Sequence, residues 1–249
     1  MEKQMMAKDK LPHPYQRLQA ELATLIATTP AGGRLPAEPE LARQLGVSRA
    51  TLREAMRAFE GQGKIRRRQG LGTFVVGPTR VIDTGLEVLE SIETLAQKIG
   101  LDVSMGDHEI SEIQAGELHS QELQVPLGHP LVRVARVILA ENRPVAYLVD
   151  VLPSDVLAPA DVEQGFTGSV LDLLLQRGSP RLVRSEAEIR AVAAPGEIAR
   201  ALQIQRGDVL LMFSARLYTD EERVIDYSLS YFLPGYFRFR VVRRVGEHG

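Results

Sequence analysis

The sequence predicts an α+β protein of two unlike parts: three helices and a glycine-rich hairpin first, then an antiparallel sheet with helices. Three observations predict it. Apolar side chains recur at helical spacing over residues 15–61 and are interrupted at prolines and glycines. From residue 84 onward, short alternating runs mix with helical ones. Charge is also divided. Residues 1–77 hold 13 Lys+Arg and 7 Asp+Glu, a balance of +6; the remainder holds 17 and 25, a balance of −8; together they give the overall −2. A basic head on an acidic body fits a nucleic-acid-binding part joined to a part that binds something else.

The first helix is predicted over residues 15–28, with Leu18, Leu22, Leu25 and Ile26 as its apolar stripe. Pro30, Gly32 and Gly33 end it. A second helix opens after Pro36, with Glu38 and Glu40 in its first turn, where negative charge suits the helix dipole. Leu41, Ala42 and Leu45 are its buried face, and Gly46 closes it with a positive φ. Ser48 stands where an N-cap belongs. The third helix carries Leu52, Ala55, Met56 and Phe59 inward. Arg49, Arg53 and Arg57 share another face, within reach of phosphates and base edges. Residues 65–76 read as a hairpin with Arg66, Arg67 and Arg68 beside Gly70 and Gly72. Helix, turn, capped helix and basic hairpin together form a module that places one helix in the DNA major groove.

The stretch LPAEPELARQLGVSRATLREAMRAFEGQGKIRRRQGLGTFV resembles the winged helix-turn-helix of the GntR family of bacterial transcription regulators. The resemblance implies a third helix in the major groove and a wing in the minor groove. Position by position it implies DNA contacts at Ser48, Arg49, Thr51, Arg53, Arg68, Gln69, Gly70 and Thr73. Two positions depart from the family pattern: Pro39 replaces a common Arg, and Leu71 stands where a basic residue is frequent.

The expected division is 1–77 for the DNA-binding domain, 78–84 for a linker and 85–249 for a second domain. In the second, Leu86, Leu89, Ile92, Glu93 and Ala96 suggest a helix ending at Gly100. Two later segments look alike, from Gly116 and from Gly196. Each has Gly-Glu, a short helix, Leu-Gln-Val or Leu-Gln-Ile, a Gly, two strand-like runs and Leu-Pro. Two helix–hairpin halves sharing one antiparallel sheet would give this pattern. This region resembles the UTRA effector domain of the HutC branch of the GntR family. The resemblance implies a chorismate-lyase-like fold, a small-molecule effector and homodimers.

Strand parity nominates effector contacts. Arg136 shares a face with Val132, Val134 and Ile138, and Asp150 with Ala146, Leu148 and Leu152. Asp226 lies between Val224 and Ser228. A charge on an apolar face needs a partner or a ligand. Ser169 precedes a short apolar helix, either as a plain cap or beside amides open to an anion. Arg184, Glu186, Glu188 and Arg190 alternate with Val183, Ala187 and Ile189, an ordinary half-buried strand. Sugar-phosphate-binding relatives carry R-x-R on the first strand, whereas Ile138 follows Arg136 here. Leu148 and the run FLPGYFRF likewise replace charges. The expected effector is therefore less charged than a sugar phosphate: a monocarboxylate or a partly apolar metabolite.

The chain has no Cys, so thiolate metal sites and disulfides are excluded. No His pairs with another ligand type at metal-binding spacing, and neither a metal nor a cofactor is expected. The absence of a long apolar run points to a cytoplasmic protein with no membrane partner. The leading function is a ligand-responsive, homodimeric repressor on a near-palindromic operator. The alternative is an enzyme with a lyase-like fold and a DNA-binding head. Arg136, Asp150 and Asp226, with no accompanying His, are too few to define a reaction.

Overall fold

The computed structural model describes residues 14–68, 70–76, 81–163, 166 and 168–242. The chain divides into two compact units, Met1–Pro78 and Thr79–Gly249.

In the first unit, α1 (Pro14–Thr28), α2 (Glu38–Gln44) and α3 (Arg49–Gly61) close around Leu18, Leu22, Leu41, Leu52, Met56 and Phe59. Pro39 sits in the first turn of α2, where a backbone N–H has no intrahelical partner to lose. Gly46 turns the chain toward α3 with φ of 64°. An L-residue there would cost about 1–2 kcal/mol. Ser48 caps α3: its Oγ accepts from Thr51 N at 3.0 Å. β1 (Ile65–Arg68) and β2 (Gly72–Val75) form the antiparallel wing, with Ile65 opposite Val75. Residues 33–35 run along the other edge of β2. Val75 N donates to Gly33 O, and Leu35 N to Thr73 O, each at 2.8 Å.

The second unit begins with β3 (Ile82–Gly85), α4 (Ile92–Lys98), β4 (Val103–Gln114), α5 (Glu117–Leu123), β5 (Pro130–Ala140) and β6 (Arg143–Pro153). It continues with α6 (Pro159–Glu163), α7 (Val170–Arg177), β7 (Leu182–Ala193), α8 (Gly196–Ala201), β8 (Val209–Thr219), β9 (Val224–Phe232) and β10 (Phe237–Arg240). Six strands form one antiparallel sheet in the order β4-β5-β6-β9-β8-β7, and β3 pairs in parallel with β10.

Two expectations are corrected here. Residues 82–84, assigned to the linker, are strand, and Ile82 is buried; residues 78–80 lie outside the described residues. The helix expected from Leu86 begins only at Ile92. Ser91 caps it, accepting from Thr94 N at 2.9 Å. Upstream, Leu86 N donates to Arg240 O at 2.9 Å and prolongs the β3–β10 pairing, so Leu86, Val88 and Leu89 stay exposed.

The internal repeat is physical. Gln124 and Gln203 both follow short helices with φ of 56°. Gly128 N donates to Ala115 O at 2.8 Å, as Gly207 N does to Ala194 O at 3.0 Å. Each half then supplies a hairpin, β5–β6 and β8–β9, and the halves meet where β6 pairs with β9. β5 and β6 are buried along most of their length, which their Val- and Leu-rich sequences require.

Candidate functional site

The DNA-facing candidates fall on α3 and the wing. Arg49, Thr51 and Arg53 are all exposed on the first two turns of α3. Ser48 is exposed too, with its Oγ held by the cap and 2.8 Å from Thr51 Oγ1. Arg53 is not idle: Nε bonds Glu38 Oε2 at 2.6 Å, from α2 to α3. Arg67 ties the wing to the same place. Its Nη2 donates to Arg53 O at 3.1 Å and its guanidinium lies 3.5 Å from Glu60. Sequence reasoning placed Glu38 at a helix start and Arg67 on the hairpin but missed their contacts with Arg53, because pairs 14 and 15 residues apart leave no periodic signal. At the wing tip, Gly70 (φ 75°) and Gly72 (φ 113°) flank Leu71, whose side chain projects 58% exposed.

Thr73 is a correction. It is only 6% exposed, because residues 33–35 cover that edge of β2, so its side chain is not on the wing's open surface. Gln69 and the side chain of Arg68 lie outside the described residues.

The effector candidates gather on one face of the large sheet. Asp150 on β6 lies opposite Val134 on β5 and Ser228 on β9. Arg136 is two residues beyond Val134, and Asp226 two before Ser228. Both therefore stand diagonal to Asp150 on the same face, roughly 7–8 Å away by Cβ, within reach of polar side chains. The Arg136 guanidinium is paired with Asp150, and all three side chains are buried. Burial, then the neighbouring Asp150 carboxylate, push the Asp226 carboxyl well above its ordinary value; Arg136 opposes them. Asp226 Oδ1 and Arg136 Nε have no hydrogen-bond partner.

These groups line a cavity of about 520 Å³. Its wall includes Arg136, Asp150, Asp226, Ser228 and Ser230, and the aromatic rings of Phe213, Phe232 and Phe239. Glu93 on α4 joins it, with Oε1 unpartnered; burial raises its carboxyl, against the pull of Arg136. Val183, Ala187 and Ile189 of β7 also line it. That corrects their reading as the packed side of a half-buried strand: Val183 and Ile189 are 49% and 43% exposed. Of the two readings of Ser169, the plain cap is the one the structure has. The residue is buried, its Oγ accepts from Asp172 N at 3.0 Å to cap α7, and it is not on the cavity wall. Asp172 in turn accepts from Ser91 Oγ at 2.6 Å, fastening α7 to α4. His119 and His129 are half-buried. No group of three metal-ligating side chains exists among the described residues.

The raised Asp226 carboxyl has a consequence for stability. Folded, it keeps a proton that the unfolded chain gives up near 3.8. Its contribution is therefore full below that value and is lost as pH rises through the elevated folded value. Glu93 acts in the same direction. Asp226→Asn is expected to flatten the pH dependence of stability and to raise stability at neutral pH. Urea unfolding across a pH series checks it; an unchanged slope would put Asp226 outside the titrating set.

Comparison with known proteins identifies the two domains. The UTRA domain family matches residues 98–238, and the family of bacterial regulatory proteins called gntR matches residues 14–75. An HTH-type transcriptional regulator of Mycobacterium tuberculosis is 28% identical over 244 residues, 95% of this chain and 87% of that protein. A histidine utilization repressor of Pseudomonas putida is 29% identical over 198 residues, 78% of this chain and 77% of that protein. The crystal structure of PhnF from Mycobacterium smegmatis superposes with a TM-score of 0.62 at 23% identity, covering 92% of this chain and all of that one. It shares the fold. A winged helix-turn-helix ahead of a UTRA domain, over nearly the whole length of a relative, places this chain among the transcription regulators of the GntR family, in its UTRA-containing branch.

Proposed function

We propose that the chain is a homodimeric repressor that leaves a near-palindromic operator when a small metabolite enters the cavity on the sheet. The observation that carries the reading is the buried Arg136–Asp150–Asp226 row, with unpartnered polar atoms at both ends, opening on a cavity of a metabolite's size. The name of the Pseudomonas putida relative, a repressor, supports the direction of control. A cytoplasmic setting follows from the proposed work on DNA. Among the described residues, no helix is long and apolar enough to cross a membrane. The enzyme reading is not favoured: the cavity wall carries no histidine, and the relatives named above are regulators.

On the operator, α3 enters the major groove with Arg49 and Arg53, and the wing follows with Arg68, Gln69 and Gly70. One such module makes few base contacts, and two-fold symmetry doubles them. An effector can weaken operator binding only by the ratio of its affinities for the free and DNA-bound forms.

Arg49→Ala and Arg53→Ala are each expected to cost about 1–3 kcal/mol of operator binding. The affinity of the parent protein should fall steeply with salt. Titration by fluorescence anisotropy at two salt concentrations reads both. Two folded variants with parental affinity would remove α3 from the interface. The full chain should sediment as a dimer at micromolar concentration and protect two half-sites in a footprint; a monomer protecting one half-site would contradict the dimer.

Arg136→Ala leaves Asp150 buried without its partner and should cost about 3–5 kcal/mol of stability. The double variant Arg136→Met with Asp150→Asn removes both charges at similar volume. It should melt close to the parent and fail to leave the operator with effector. A double variant released like the parent would take the pair out of the site.

A further inference from the structure

The cavity is graded along its length. On β9 the residues facing it run Asp226, Ser228, Ser230, Phe232. Six residues of strand span about 20 Å. Asp150 on β6 stands opposite Ser228, next to Asp226, with its carboxylate paired to Arg136 of β5; Glu93 on α4 also lines the cavity. At the other end Phe213, Phe232 and Phe239 enclose an aromatic corner, with centroids 4.5–5.2 Å apart. Leu148 and Ile189 add apolar wall.

The polar end is unbalanced. Two guanidiniums line the cavity and both are engaged, Arg136 by Asp150 and Arg184 by Glu222 and Glu186. Apart from these pairs stand the carboxyls of Asp226 and Glu93; Asp226 shares a hydrogen bond with Asp150, while its Oδ1 and Glu93 Oε1 have no hydrogen-bond partner among the described residues. Asp226 is only 6% exposed, and its Oδ1 accepts no hydrogen bond. Asp172 lies behind Glu93, occupied by Ser91. A ligand carboxylate would reach Arg136 Nε but would lie beside Asp150, Asp226 and Glu93. A ligand ammonium would supply donors to Asp226 Oδ1 and Glu93 Oε1.

We infer that the effector is a cationic amine with an apolar or aromatic body, its ammonium between Asp226 and Glu93 and its body against Phe213 and Phe239. The inference rests on the reading of this cavity as the effector site. It departs from the monocarboxylate expected from the sequence and keeps the partly apolar body, because that expectation counted the charges lost and not the carboxyls on the cavity wall. Binding ionises Asp226. Burial and the nearby Asp150 raise the carboxyl, and an ammonium beside it favours the carboxylate. The proton leaves to the buffer.

Three probes of matched body separate the possibilities: phenylpropylamine, phenylpropanol and phenylpropionate. Each is titrated calorimetrically into the full chain in two buffers of different ionisation enthalpy. The amine is expected to bind at least about tenfold more tightly than the alcohol, about 1.4 kcal/mol, and the carboxylate more weakly than either. Amine binding should release protons, and Asp226→Asn and Glu93→Gln should each remove the preference for amine over alcohol. Both variants keep side-chain size, and their melting curves show whether they fold. Carboxylate binding as tight as amine binding, or amine binding indifferent to both substitutions, overturns the charge class and leaves the cavity as effector site. Failure of all three probes to bind at millimolar concentration overturns both readings.

Discussion

β6 pairs with β9, and the placement of every polar group in the cavity depends on that one ladder. It joins the two halves of the second unit, and its register sets Asp150 opposite Ser228. A slip of one residue would turn Asp226 to the other face of the sheet and leave Asp150 with Arg136 alone. The register is held by what surrounds it. Val149 stands opposite Leu229 at the centre of the ladder, and both pack with Val151 and Tyr227 on the face away from the cavity. The apolar face therefore fixes the geometry of the polar one. A buried charged row adds little net stability of its own, because desolvation offsets the attraction. What it supplies here is a set of groups that only one arrangement of the sheet can satisfy, and that a ligand can complete.

The DNA-facing unit shows the same economy of charge. Arg53 is held by Glu38, and Arg67 by Glu60, so the basic surface of α3 is partly matched in the free chain. On the proposed interface, operator phosphates would compete with Glu38 for Arg53. Such internal competition weakens contact with any backbone phosphate and leaves discrimination to groups that meet base edges. Leu71, exposed between two positive-φ glycines, brings no charge to the wing tip. Pro39 fits α2 without strain but removes a donor near the backbone. Both departures lower the sequence-independent part of the interaction.

Much of this was legible in the sequence, for definite reasons. Helix spacing and caps are local, so Ser48, Gly46 and the stripe of α3 could be placed before any coordinates. Strand parity is also local, and it singled out Arg136, Asp150 and Asp226 as charges on apolar faces. It could not say that they meet, because that depends on the register between β6 and β9. Glu93 stood in the apolar stripe around Ile92 and Ala96, which is the same signal that marked Arg136. It went unused because the stripe was read as one helix from Leu86, whereas Ser91 starts the helix and aims Glu93 at the cavity. Thr73 and the effector reading of Ser169 failed for a different reason. Each carries a side chain of the right type at the right position, and the structure commits it elsewhere: Thr73 under residues 33–35, Ser169 to the amide of Asp172.

The repeat explains why the cavity has two unlike ends. Val149 and Leu229 lie opposite one another and about 80 residues apart, so the pseudo-two-fold axis of the sheet passes between them. About that axis, the position of Asp150 corresponds to Ser230 and that of Asp226 to Ala146. Arg136, one strand further out, corresponds to Ala215, and Val134 to Phe213. Each charged position has a small or hydroxyl-bearing counterpart, and an aliphatic position near the charges has an aromatic one. A symmetric scaffold would give a cavity with two equal ends, suited to a symmetric ligand or to two copies of one. Divergence of the two halves has concentrated the carboxyls and the guanidinium at one end and the rings at the other. A ligand that is polar at one end and apolar at the other can then enter in one orientation only. Reversal would set its polar group among Phe213, Phe232 and Phe239 and its apolar body against buried carboxyls, and both placements carry a desolvation cost. Neither half alone contains the site: β5 and β6 bring Arg136 and Asp150, and β9 brings Asp226 only because the halves share a sheet.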